Sequence, residues 1–220
     1  MSSSNVGLSL LVLRNVPLLS GLDENELQRL AQVAVRRRAA RGEQVVRVGE
    51  DAEALLILLT GRAKVTNVDE EGREIILAWL GPGEFFGEMG LIDGSPRSAN
   101  VVAVEPCEML SIGKQEFQRC MQQNFDVAQK LMQILVRRLR EADRNIESLA
   151  LLDVYGRVAR LLLDLSDEEN GKRMVKQKIS KQDMARMIGA SREMVSKVMR
   201  DLEVGGYITC DNDLITITGA

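Results

Sequence analysis

Residues Asp126 to Asp153 read DVAQKLMQILVRRLREADRNIESLALLD, without a glycine or a proline. Nothing in that stretch stops a helix. Apolar residues recur at Ala128, Met132, Leu135, Leu139, Ala142, Ile146 and Leu149. The steps alternate four and three, the period of a coiled-coil seam. A helix with one narrow stripe buries it either on the same helix of a second copy or on its own domain. The narrowness and length of the seam favour the second copy, so a two-fold homodimer is expected.

The rest of the composition narrows the function. No apolar run approaches the ~20 residues of a bilayer span, so no membrane partner is expected. The opening MSSSNVGLSLLVLRNVPLL lacks a basic n-region and is not read as a signal peptide. Cys107, Cys120 and Cys210 lie far apart and form no CxxC, which fits a reducing cytoplasm and argues against zinc or an iron–sulfur cluster. The chain has 0 histidines, which removes histidine-based triads, most zinc sites and His-ligated haem. No metal is expected.

Along the chain, Asp23 to Val35 reads as a short helix with Asp23 as N-cap and Glu26 as its N3 partner. The run Arg36-Arg37-Arg38 reads as a solvated rim beside a strand. From Glu43 to Ile112, short Val/Ile/Leu-rich runs alternate with glycine-bearing turns. The runs are Glu43–Val48, Leu55–Thr60, Arg62–Val68, Glu74–Leu80, Ser98–Val104 and Glu108–Ile112, which predict an antiparallel barrel or jelly roll. Asp69-Glu70-Glu71-Gly72 is a hairpin turn. Gln115–Asn124 and Val154–Leu165 read as helices on either side of the long one, and Asp167 to Gly171 as a polar break. A short helix over Lys181–Ile188, Gly189, and a second helix after Ser191 make a helix-turn-helix with Ser180 and Ser191 as N-caps. Tyr207–Cys210 and Leu214–Thr218, joined at Asp211-Asn212-Asp213, read as a β-hairpin wing. The predicted fold class is α+β: residues 1–125 a β-roll domain, 126–153 a dimerisation helix, 154–220 a winged helix-turn-helix.

The C-terminal part carries a concentrated charge. Between Lys172 and Arg200 stand nine Lys/Arg against Asp183 and Glu193, a local +7 in a chain of net −3. Such a field is the footprint of a phosphate-binding surface. On the second helix Met194, Val195, Val198, Met199 and Leu202 are assigned to the buried face, and Arg192, Glu193, Ser196, Lys197 and Arg200 face outward. Arg forks onto guanine O6/N7 and Glu accepts from cytosine N4 in the major groove, and the N-terminal end of a recognition helix reaches base edges.

The other polar centre is Gly81 to Ala103, GPGEFFGEMGLIDGSPRSANVVA. Gly87 and Gly90 let backbone approach a ligand closely. The N–H groups opening the turn after Phe86 can cradle an anion. Arg97 can bind a phosphate with both prongs, and Glu88 can accept from a sugar hydroxyl. The set suits a phosphorylated sugar; the alternative is a structural Glu–Arg ion pair on a turn. An acid–base enzyme built on Glu84 and Glu88 is not expected, because no histidine, nucleophile–base pair or metal cluster supports them.

FGEMGLIDGSPRSA, the junction LALLDVYGRVARLLLDL and ISKQDMARMIGASREMVSKVMRDLE together resemble the cAMP receptor protein/FNR family of bacterial transcription regulators. The resemblance spans nearly the whole chain. It implies a cyclic-nucleotide-binding β-roll, a dimerising helix and a winged helix. It implies that Gly87 and Glu88 meet the ribose and phosphate, and Arg97 and Ser98 the cyclic phosphate. Ser191, Arg192, Glu193, Ser196 and Lys197 would lie at the DNA, Arg192, Glu193 and Lys197 reading bases, while Lys181 and Gln182 touch its backbone. RNA polymerase is the implied downstream partner. There is no N-terminal cysteine cluster of the oxygen-sensing FNR kind.

Two departures bear on specificity. Where cAMP-responsive members present a Thr-Ser pair to adenine from the long helix, this chain has Ala142-Asp143. Ala142 has no side-chain hydrogen bond to give, and Asp143 is an acceptor that suits the N1–H and N2–H₂ donors of guanine as well as the adenine amine. The expected effectors are therefore cAMP, cGMP or cyclic di-GMP, with a nucleotide-independent regulator as the alternative. At Lys197 the family pattern often has Arg; Lys makes a point-charge contact and discriminates less. In the implied mechanism, ligand beside Asp143 biases the seam, and two recognition helices about 34 Å apart meet successive major grooves of a pseudo-palindrome.

Overall fold

A computed structural model describes residues 10, 13–169, 171–211 and 214–218. Contacts divide the chain between Arg137 and Arg138 into two compact units.

In the first unit, helix α1 (Glu24–Val33) starts at the expected capping box: Asp23 accepts from the Glu26 amide and Glu26 from the Asp23 amide, each at 2.8 Å. Leu27, Leu30, Ala31 and Ala34 are all buried. The helix stops short of Val35, which opens strand β1 (Val35–Ala39). The arginine run thus lies in an edge strand and not beside one, with Arg37 and Arg38 exposed as a solvated run would be. Arg36 and Arg38 straddle Glu108 on the neighbouring strand, and Arg38 Nε donates to it at 2.8 Å. That cross-strand pairing is invisible to a scan for charge runs.

Two four-stranded antiparallel sheets follow. One orders β1, β8 (Cys107–Gly113), β3 (Ala54–Thr60) and β6 (Phe85–Phe86). The other orders β2 (Gln44–Val46), β7 (Asn100–Ala103), β4 (Ala63–Val68) and β5 (Glu74–Leu80). These two sheets are the jelly-roll-like arrangement among those the run spacing predicts, and the β-roll that the resemblance implies. β3, ALLILLT, has no polar face because it is covered on both sides. Leu56 and Leu58 join the cluster shared with Val46, Ala63, Leu80, Phe86 and Val101 of the other strands. Leu55 and Ile57 join α1, Phe117 of α3 (Lys114–Gln123) and the start of α4 (Phe125–Leu151). Truncating Leu56 or Ile57 to alanine would cost about 2–5 kcal/mol.

Helix α4 carries two apolar rows. Val127, Leu131 and Ile134 are buried in the first unit's core. Met132, Leu139, Ile146 and Leu149 of the seam are exposed, and Ala128 and Leu135 are half-buried. The helix ends at Leu151, two residues before the expected Asp153, which instead caps α5 (Val154–Asp164) by accepting from Gly156 N at 2.9 Å.

In the second unit, Asp167 to Gly171 is not a mere break. β9 (Asp167–Glu169) and β10 (Lys172–Val175) form a hairpin turning at Gly171, φ +73°. Lys172 pairs with Glu169 and Arg173 with Glu168, opposite charges face to face. These strands extend the wing β11 (Ile208–Asp211) and β12 (Leu214–Ile217) into a sheet ordered β11-β12-β10-β9. The expected wing turn includes Asn212 and Asp213, which lie outside the described residues. Helices α6 (Lys181–Ile188) and α7 (Arg192–Val204) pack with α5 around Val158, Leu162, Val175, Met184, Ala185, Val195 and Val198.

Candidate ligand cassette and nucleic-acid interface

β6 ends at Phe86, and Gly87 turns the chain with φ +84°. Only glycine takes that conformation without strain. Space demands it as well: a Cβ on Gly87 would collide with Arg97 Nη1 and lie 3.2 Å from the Ala54 carbonyl oxygen. Glu88 follows, only 3% exposed, ahead of the short helix α2 (Met89–Asp93). At Gly90 a Cβ would run into the Ser95 carbonyl oxygen and sit 2.7 Å from Ala52 Cβ. The close approach expected of Gly90 is therefore an approach of protein to protein.

The Arg97 guanidinium is half-buried against this turn. Its Nη1 donates to the Gly87 carbonyl at 2.6 Å and its Nη2 to the Ala54 carbonyl at 2.7 Å. Its own backbone is held from both directions, Arg97 N donating to Glu50 O at 2.8 Å and Gly49 N donating to Arg97 O at 2.9 Å. Burial pulls its pKa down, opposed by the carboxylates of Glu88, Glu50 and Glu53. A guanidinium has five N–H donors and these two bonds use two of them, so donors remain for an anion. Ser98 is exposed, with its hydroxyl 3.7 Å from Met89 Sδ and its carbonyl accepting from Asn67 Nδ2 at 3.4 Å.

The structure thus brings Gly87, Glu88, Arg97 and Ser98 into one turn region. Ala142 and Asp143 are exposed on the part of α4 that belongs to the second unit. Sequence reasoning missed the Ala54 carbonyl. A main-chain oxygen carries no residue-type signal, so only the fold reveals it.

The second site is built locally. Ser180 caps α6 by accepting from Asp183 N at 3.0 Å, and Ser191 caps α7 by accepting from Met194 N at 3.2 Å. Gly189, φ +62°, ends α6 in the left-handed conformation. Arg157 of α5 reaches this turn, its Nη1 donating to Ile188 O at 2.8 Å. The Tyr155 hydroxyl donates to the Asp201 carboxylate on α7, and that bond is the first cause of the upward shift in the tyrosine's pKa. α7 is therefore gripped by its cap, by α5 and by its core stripe. Lys181, Gln182, Ser191, Arg192, Glu193 and Lys197 are exposed, and Ser196 is half-buried. One assignment fails: Met194 is 43% exposed. Val195, Val198, Met199 and Leu202 already form an i, i+3, i+4, i+7 stripe, and Met194 stands a ~100° step away from Val195.

Among the described residues no helix is long and apolar enough to cross a membrane, and no group of three His, Cys, Asp or Glu side chains is placed to hold a metal ion.

Known proteins share this arrangement. Residues 36–124 match the cyclic nucleotide-binding domain and residues 156–219 the Crp-like helix-turn-helix domain. The chain is 36% identical over 180 residues to the cAMP-activated global transcriptional regulator CRP of Haemophilus influenzae, covering 80% of each. It is 34% identical over 200 residues to the cAMP-activated global transcriptional regulator Vfr of Pseudomonas aeruginosa, covering 88% of this chain and 94% of that one. The solved structure of the c-di-GMP responsive global regulator CLP of Xanthomonas campestris superposes with a TM-score of 0.74 at 28% identity, over 90% of this chain and all of that one. A nucleotide-binding roll, a long helix and a basic helix-turn-helix in one order, shared with regulators over most of their length, have one reading: the chain belongs to the CRP/FNR family of transcription regulators.

Proposed function

We propose that the chain is a homodimeric, sequence-specific DNA-binding regulator whose grip on a pseudo-palindromic site is set by a cyclic nucleotide. Residues 1–125 form the nucleotide domain, 126–153 the dimerisation helix and 154–220 the reader. Gly87, Glu88, Arg97 and Ser98 hold the ribose and cyclic phosphate, and Ala142 and Asp143 meet the base. Lys181 and Gln182 hold the DNA backbone, and Ser191, Arg192, Glu193, Ser196 and Lys197 lie in the major groove. The protein acts in the cytoplasm, works with RNA polymerase and catalyses no reaction. The exposed α4 row of Met132, Leu139, Ile146 and Leu149 supports the dimer.

The observation that carries this reading is the coexistence in one chain of two built centres. One is a buried glutamate and a fixed guanidinium around a left-handed glycine. The other is a recognition helix that opens with three exposed side chains, Arg192, Glu193 and Met194, within a +7 segment. For the effector, Asp143 favours a guanine base, since an acceptor-only carboxylate matches the N1–H and N2–H₂ edge. CLP, which shares the fold, is described as c-di-GMP responsive, whereas CRP and Vfr are described as cAMP-activated.

The test is a gel shift on a TGTGA-type inverted repeat with cAMP, cGMP and cyclic di-GMP added one at a time, paired with isothermal titration of each. A shift strengthened by a guanine nucleotide is expected. Tight cAMP binding without a guanine response overturns the base assignment. Equal binding under all conditions establishes the nucleotide-independent regulator. A monomer that ignores inverted repeats overturns the whole reading.

A further inference from the structure

Met194 is apolar, belongs to the first turn of α7, and is 43% exposed among Arg192, Glu193 and Lys197. Met184 and Met199 of the same unit are core residues, 1% and 5% exposed. The core is complete without Met194, because Val195, Val198 and Met199 fill it. Its amide is fixed by the Ser191 cap at 3.2 Å, so the backbone is rigid while the side chain lies outside. On the helix it lies about 100° from Glu193 and one turn before Lys197, at the edge of the face that reads DNA.

We propose that Met194 is a specificity-determining residue that takes the 5-methyl group of a thymine in the major groove. The inference rests on the DNA-binding reading above. The chemistry is complementary to that of its neighbours. Arg192 and Glu193 can address guanine and cytosine edges through hydrogen bonds, and the thymine methyl is the apolar feature that the major groove offers. A thioether side chain, unbranched and polarizable, adapts its shape to such a group. Because Met194 is half in water in the free protein, contact with a methyl removes apolar surface from solvent on both partners.

The experiment uses the full chain. A pool of duplexes randomised as inverted repeats is enriched for binding with cAMP, cGMP and cyclic di-GMP in parallel. In the enriched duplex each thymine is then replaced singly by deoxyuridine, which lacks only the methyl, and affinity is read by fluorescence anisotropy. The expected result is one position per half-site where deoxyuridine weakens binding about fourfold, the loss of one buried methyl-sized group. Met194→Ala binds thymine and deoxyuridine duplexes alike at that position, while Arg192→Ala keeps the difference. Indifference of the native chain to every replacement, or a difference that survives in Met194→Ala, overturns the proposal and leaves DNA binding standing. If no duplex is enriched under any condition, the DNA-binding reading falls and this one with it.

Discussion

The two polar centres use arginine in opposite ways. Arg97 is turned into the protein and bonded to carbonyls 10 and 43 residues away in sequence, at Gly87 and Ala54. Arg192 stands exposed on a helix whose start is fixed by its immediate neighbour Ser191. In the cassette the groups proposed to face the ligand also hold the fold together, so on that reading binding and stability are coupled. In the reader the proposed recognising groups Arg192, Glu193 and Lys197 are distinct from the scaffold, and Ser191 alone serves as cap and proposed contact, so specificity at those three can change without loss of stability. The cassette resembles a lock whose tumblers are also its frame, which limits the substitutions it tolerates.

That contrast can be broken or sharpened by substitution. The largest effect is expected from Gly87→Ala, which combines a left-handed φ of +84° with a collision against Arg97. The fold should lose about 2–4 kcal/mol, read as a drop in urea midpoint with unchanged slope. An unshifted midpoint would show that the turn repacks freely. Arg97→Ala leaves two carbonyls without their donor and should cost about 1–3 kcal/mol. It should also abolish the nucleotide response while basal DNA binding persists; an unaltered response in the gel shift would place the pocket elsewhere. Arg192→Ala should lose about 1–3 kcal/mol of DNA affinity and relax preference at one base pair, with the unfolding midpoint unmoved. A stability change there would erase the distinction between the two centres. Ser191→Ala removes the α7 cap and should cost about 1 kcal/mol of stability in the second unit alone, measured by hydrogen exchange in α7.

The smallest effect is a pH response at the β4–β5 turn. The Asp69 carboxylate is held below its ordinary range, first by the Arg73 amide and then by the Arg73 guanidinium. A group with a depressed folded pKa stabilises above its unfolded value and loses that contribution as pH falls through the folded one. The turn amides of Glu71 and Arg73, which donate to that carboxylate, should therefore exchange faster below the usual carboxylate range. Protection that is flat with pH would mean that the backbone alone holds the turn.

What could be read in the sequence divides along the same line. The Asp23–Glu26 box, the Ser180 and Ser191 caps, Gly189 and the outward Arg192–Glu193 pair all follow from spacings of a few residues. β5 was legible to the residue, Glu74–Leu80, because Gly72 and Gly81 bracket an apolar run. β1 and β9 were not. Their strand character comes from partners across a sheet, Glu108 for the arginine run and Lys172 and Arg173 for the acidic stretch. The second apolar row of α4, Val127, Leu131 and Ile134, was hidden because a seam scan follows one stripe and this helix has two. Met194 is apolar by type and outward by its position on the helix, so residue type alone puts it on the wrong face. The orientation of Arg97 could not be foreseen, since both of its acceptors are main-chain oxygens.

The doubly covered strand β3 has a consequence for how the molecule comes into being. Leu56 stands opposite Phe86 on one side and Ser111 on the other, and Ile57 opposite Phe85 and Leu110, so the most apolar strand of the roll is not paired along both edges until nearly the entire roll has left the ribosome. The helix-turn-helix closes over short loops and has no such delay. A nascent chain therefore holds a greasy strand with one edge open until β8 emerges, and that interval is when chaperones have most to do.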